Sequence, residues 1–114
     1  MKYALIAYAQ PGVFEDLTDE ERAAFVADDA AFRAELEDHD YMVSGEALAE
    51  PDTATTVRVR DGRPVLTDGP YADVAEHLGG ILVIDVPDLD VALDLAQRCP
   101  AARTGPLEVR PIRA

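Results

Sequence analysis

Cysteine is nearly missing from this 114-residue chain: Cys99 stands alone, so no intramolecular disulfide can form and one copy cannot assemble a cysteine-based zinc site. Tryptophan is absent and aromatic residues make up only 6% of the chain, which leaves Val, Leu, Ile and Ala to build the core. Basic residues are scarce as well, 10 Lys and Arg against 23 Asp and Glu, for a formal charge of −13 and a pI near 4.3. A field of that sign repels phosphate backbones and anionic lipid, and no basic patch interrupts it, so neither nucleic acid nor a membrane surface is expected as a partner. No apolar run is long enough to span a bilayer. The opening MKYALIAYAQPG is too short in its apolar part for a secretory signal, so a cytoplasmic protein is expected.

What is present fits a folded chain. A hydrophobic content of 48% with 29% charged residues is ordinary for a soluble protein, and the length suits one domain, residues 1–114, with a single core. Lys2 to Ala9 is apolar nearly throughout and reads as a central strand buried on both faces, stopped by Gln10, Pro11 and Gly12. Thr18 followed by Glu21 is a capping-box signature that predicts a helix running to about Asp38. At about 100° per residue, Phe25, Phe32 and Leu36 share one stripe of that helix, the face laid on a sheet. Asp29 falls inside the stripe, where a carboxylate either reaches solvent past small Ala neighbours or serves a site.

Tyr41 to Leu48 predicts a strand in which Ser44 and Gly45 mark an irregularity or a close backbone approach. Thr53 to Arg60 and Arg63 to Thr67, joined by Asp61-Gly62, predict a hairpin. Ile81 to Val86 is a second buried strand. Asp88 caps a shorter helix with Leu89, Ala92, Leu93 and Ala96 at helical spacing, and Cys99 extends its stripe as a small core residue. Leu107, Val109 and Ile112 belong to a last strand. The order predicts an α+β fold, a ferredoxin-like βαββαβ scheme with an extra hairpin strand and both helices on one sheet face. The other face needs cover, and a homodimer closing a dimeric α+β barrel is expected.

The stretch Leu66 to Gly80, LTDGPYADVAEHLGG, concentrates the unusual local chemistry. Asp68, Gly69 and Pro70 are turn formers, and Tyr71, Asp73, Glu76 and His77 crowd polar side chains into the same connection. His77 has the side chain best suited to carry protons near neutrality, although adjacent Glu76 need not point the same way and His77 can equally be a solvated surface residue. Asp68 reads either as an acid/base group or as a turn carboxylate bonding nearby amides. The candidate catalytic residues are therefore Asp68, His77 and Asp29, with Tyr71, Ser44 and Glu76 as candidate substrate contacts. The spacing of His39, His77 and the carboxylates forms no metal motif, and Gly79-Gly80 precedes a strand, unlike a phosphate cradle; no metal or cofactor is expected.

Several of these segments together carry a family resemblance. Ser44-Gly45-Glu46, ATTVRVRDGRP from Ala54, TDGPY from Thr67, Glu76-His77-Leu78-Gly79-Gly80, Val86-Pro87-Asp88-Leu89-Asp90, Cys99-Pro100 and Glu108-Val109-Arg110-Pro111 resemble the YCII-related, DGPF-domain proteins in motif and order. The resemblance implies a ferredoxin-like domain that pairs into a dimeric α+β barrel. It also implies two alternatives for function. One is a small-molecule enzyme of lyase or dehydrochlorinase type, after a relative in the wider family that acts on a chlorinated hydroxyquinol. The other is a non-catalytic ligand-sensing or protein-interaction module linked to sigma-factor regulation. The chain departs from the family pattern where the DGPF run usually has Lys, here Ala75. The helix His and the Asp before the late Pro, proposed as an acid/base pair in enzyme-like relatives, fall by spacing on Asp29 and Cys99. That pair is not carried over.

Overall fold

The computed structural model describes residues 1–72 and 74–114; Asp73, one of the polar residues of the Leu66–Gly80 connection, lies outside the described residues. Six strands and two helices follow in the order β1 (Lys2–Ala9), α1 (Asp19–Asp38), β2 (Met42–Ala47), β3 (Thr55–Arg60), β4 (Arg63–Asp68), β5 (His77–Asp85), α2 (Leu89–Arg98) and β6 (Leu107–Pro111). Four of the strands form an antiparallel sheet in the order β2-β5-β1-β6, and β3 pairs with β4 in a separate two-stranded sheet. The main sheet with its two helices is the expected ferredoxin-like arrangement. Both hairpin strands, and not one, stand outside it.

Local chemistry accounts for the boundaries. Thr18 Oγ1 accepts the Glu21 amide and the Glu21 carboxylate accepts the Thr18 amide, so α1 starts with the reciprocal cap that the sequence predicts. These bonds hold the Glu21 carboxyl below the usual carboxylate range. Asp88 caps α2 through the Val91 amide. Asp61 and Gly62 both take positive φ in the tight turn between β3 and β4, the geometry for which Asp-Gly is suited.

The core lies between the helices and one sheet face. Tyr3 and Leu5 of β1, Ile84 of β5, Phe32 and Leu36 of α1, and Ala92, Leu95 and Ala96 of α2 are buried together, with Cys99 beside them. On α2 the buried residue of the second turn is Leu95 and not Leu93, which is 40% exposed. The helix rests on the sheet through the Ala92, Leu95, Ala96 and Cys99 line, and its small Ala residues let the backbone approach closely. Two bulges tune the sheet. On β2 the register slips between Met42 and Ser44, so Gly45 and not Ser44 shares the helix-side face with Met42. Between β1 and β5 it slips after Ala7, which faces Gly80 while Tyr8 faces Leu78.

The hairpin stands apart. All of β4 is exposed, and Val57, Val59 and Leu66 expose 58%, 70% and 67% of their surface. The radius of gyration is 16.1 Å, where a compact chain of this length measures roughly 13 Å. The apolar face of Val57 and Val59 therefore belongs to a projecting arm, not to the main sheet.

Candidate functional site

A cavity of about 410 Å³ lies between α1, the turn after β1 and one end of the main sheet. Its origin is a difference in side-chain size along the sheet. Beneath the C-terminal half of α1 the sheet carries Tyr3, Leu5, Met42 and Ile84, which meet Phe32 and Leu36 and fill the gap. Towards the N-terminal half it carries the small residues Ala7, Ala9, Ala47 and Gly80, with Leu5 and Leu82 at the inner end of the space. The stripe of α1 runs over both halves, so Phe25 and Asp29 hang over the space that those small residues leave. Gly80 is also tight against β2, since a Cβ there would lie 3.1 Å from the Glu46 carbonyl oxygen. The bulge at Gly79 sits on the cavity wall, a common place for a bulge to re-aim neighbouring side chains.

The turn of residues 10–17 forms the outer wall. Arg22 clamps it by donating to the carbonyl oxygens of Phe14, Glu15 and Leu17, and its guanidinium lies 5.5 Å from the centre of the Phe14 ring. Phe14 in turn meets Phe25 edge to face at 5.6 Å, an aromatic corner of the cavity.

Titratable groups line the cavity from several elements. Asp29 Oδ2 accepts from Arg33 Nε at 3.0 Å, one helical turn apart, with both side chains partly exposed. The Arg33 guanidinium passes over β2 at Gly45, where a Cβ would come within 2.8 Å of Nη1. The close approach expected at Gly45 is made by a side chain of α1 and not by backbone, and the irregular register falls just before it, between Met42 and Ser44. His77, first residue of β5 and paired with Ala9, lines the cavity and is half-buried. Cys99 lines it from below. Burial pushes its thiol pKa up, with Asp29 adding to the effect, so Cys99 is a neutral wall and not an activated nucleophile.

Of the six candidate site residues, Asp29 and His77 line this cavity. Asp68 ends β4 on the exposed hairpin; the turn beside it is tied by the Gly69 amide to the Ala54 carbonyl and by Thr56 Oγ1 to the Gly69 carbonyl. Tyr71 is 75% exposed and its ring lies 5.0 Å beneath the Arg58 guanidinium. Ser44 is exposed on the sheet face away from α1, because the β2 bulge gives the helix side to Gly45, and Glu76 is exposed just before β5. The DGPY segment borders the site through Pro70, which with Pro11, Glu15, Glu50 and Pro51 lines a shallower depression sharing the cavity rim. Arg33, Phe14, Glu15 and Glu50 are site residues that the sequence does not single out. The Asp29-to-Arg33 spacing is the signal for the first, an i,i+4 acid–base pair on the stripe itself. Nothing in the sequence marks Phe14.

Among the described residues no group of three or more His, Cys, Asp or Glu is arranged to hold a metal ion, and no helix is long and apolar enough to cross a membrane. The positions that align by spacing with the acid/base pair of enzyme-like relatives, Asp29 and Cys99, do share this one cavity. The sequence of the YCII-related domain matches over residues 1–114. An uncharacterised protein of Rhizobium meliloti (strain 1021) is 32% identical over 114 residues, covering 98% of this chain and 92% of the relative. The chain belongs to the YCII-related family.

Proposed function

We propose that this protein binds a small molecule in the cavity beneath the N-terminal half of α1 and works on it by acid/base chemistry of lyase or dehydrochlorinase type. The observation that carries this reading is the cavity itself, which brings a carboxylate oriented by a guanidinium, Asp29 with Arg33, to the same enclosed space as His77. An elimination needs such a pair. One group takes a proton from carbon, the neighbouring carbon releases its leaving group with the bonding electrons, and a second group protonates what leaves. Asp29 is the base in this scheme and His77 the proton donor. Asp68, Tyr71, Glu76 and Ser44 take no part in this scheme within one chain. A cytoplasmic setting suits the buried free thiol of Cys99.

The test is turnover of halogenated and hydroxylated aromatics, each with and without an amino group, by purified protein. Asp29→Asn and His77→Gln should each lower the rate on any accepted substrate by about 100-fold or more. Absence of turnover across the panel, with both variants binding as the parent does, would leave the cavity a binding site and remove the chemistry.

The second reading, an interaction module that pairs as a homodimer, is favoured by the β3–β4 arm. The arm exposes Val57, Val59 and Leu66 and carries Arg58, Arg60 and Arg63 against Asp61 and Asp68, a local basic excess in a chain of charge −13. A second copy, acidic elsewhere, offers the complementary surface. Sedimentation at micromolar concentration should give a particle of roughly 25 kDa, and Val57→Asp with Val59→Asp should split it. A parent protein sedimenting at its chain mass of 12.3 kDa would end the dimer proposal. A role beside a sigma factor is a separate question, answered by whether that arm retains a regulator from native cell extract and the double variant does not.

A further inference from the structure

Within the small-molecule reading, on which this step rests, we infer that the cavity selects an organic cation, an amine or amidine on an aromatic or branched apolar body, and turns away carboxylates of the same shape. The lining is lopsided in charge. Glu15, Asp29 and Glu50 line the cavity with one guanidinium, Arg33, and that guanidinium is already engaged by Asp29 at 3.0 Å. Glu50 uses one oxygen on the Gly12 amide at 3.3 Å, which fixes its position at the rim without cancelling its charge. An excess of two negative charges thus borders a space walled by apolar side chains, in a chain whose formal charge is −13. Low-dielectric walls focus such a field into the cleft and raise the local concentration of cations.

The aromatic corner suits the body of the ligand. Phe14 and Phe25 meet edge to face on the cavity wall, and the Arg22 guanidinium, 5.5 Å from the Phe14 centre, already takes that ring's cation contact, so the corner receives the apolar part of the molecule. The volume of about 410 Å³ suits a molecule of one ring with a short polar arm.

Three probes of one shape test the inference: benzylamine, benzyl alcohol and benzoate, titrated into the full-length protein by calorimetry, with the Phe14 and Phe25 ring signals followed by NMR. Benzylamine should bind at least tenfold tighter than benzoate, benzyl alcohol should fall between them, and the gap should narrow as salt is raised. The double variant Glu15→Gln, Glu50→Gln should shrink that preference several-fold. Asp61→Lys, at the far tip of the hairpin, should leave it unchanged and so separate the lining charges from the net charge of the chain. Benzoate binding as tightly as benzylamine or tighter would overturn the inference and make the free donors of Arg33 the anchor, with the pocket reading intact. Failure of all three probes to perturb either ring at millimolar concentration would overturn this inference and the pocket reading together.

Discussion

The two halves of α1 obey the same periodicity and end in opposite conditions. Phe32 and Leu36, on the second half, are 6% and 0% exposed and locked among Tyr3, Ile84 and Leu95, while Phe25, on the first half, and Asp29, at the middle, overhang a cavity. The helix is not what differs. Large residues stand under one half and Ala or Gly under the other, so one stripe makes a core at one end and a site at the other. A packed interior and a binding pocket are thus two outcomes of one helix–sheet contact, decided by a few methyl groups on the sheet.

The comparison breaks most sharply on truncation. Leu36→Ala should cost about 2–5 kcal/mol, as expected for a fully enclosed leucine whose neighbours collapse only partly. Phe25→Ala, already facing open space on one side, should cost less than half as much even though it removes more atoms. Urea denaturation midpoints at unchanged slope measure both. Equal losses would mean that the two halves are packed alike and that the cavity closes in solution.

Filling the small-residue end gives the converse. Ala7→Leu points new methyl groups into the cavity, where overpacking, about 1–3 kcal/mol in a tight core, has room to relax. Stability should change by no more than about 1 kcal/mol while binding of benzylamine is lost. A large destabilisation with binding retained would show that Ala7 belongs to the packed half instead.

A smaller effect sharpens the electrostatic side. Gly45→Ala places a Cβ where Arg33 Nη1 now lies, 2.8 Å away, so the flexible guanidinium must shift and its bond to Asp29 is disturbed. The pair is partly solvated, and its loss should cost no more than about 1 kcal/mol of stability. NMR of the Arg33 side chain should nonetheless show its Nε–H signal moved, and the cation preference should change with it. An unchanged Arg33 signal would mean that the guanidinium does not rest on Gly45.

Much of this contrast can be read in the sequence, and part of it cannot. The capping box at Thr18, the stripe of α1, the Asp-Gly hairpin and the two central strands follow from periods and turn chemistry that act within a few residues, although β5 is buried on one face only, with Ile81 40% exposed on the other. So does the strangeness of Gly45. The identity of the residues under each half of α1 depends on strand register, and two single-residue bulges set that register. One of them turns Ser44 away from the helix and gives the place to Gly45. The polar crowding from Tyr71 to His77 is local chemistry too, but chain direction divides it: His77 enters β5 at the cavity, while Asp68 and Tyr71 remain with the exposed hairpin. Phe14 reaches the site only because Arg22 folds the preceding turn back over α1, a contact without local signature.

The gentlest test uses the ion pairs at the two ends of α1. Asp29 at the open end pairs within the helix, whereas Glu35 at the packed end reaches Arg98 of α2 at 2.7 Å and ties the two helices together. The Arg98 guanidinium holds the Glu35 carboxyl below the ordinary glutamate value near 4.5. A carboxyl whose pKa is lower folded than unfolded contributes stability above its unfolded value, and that contribution disappears as pH falls through the folded value. Acid unfolding of the parent should therefore steepen below about pH 4.5, and Glu35→Gln should flatten that limb while leaving the cation preference of the cavity unchanged. A variant that altered the preference as well would show that the packed end and the open end of the helix are coupled, and the division between them drawn from side-chain size would have to give way to one rigid unit.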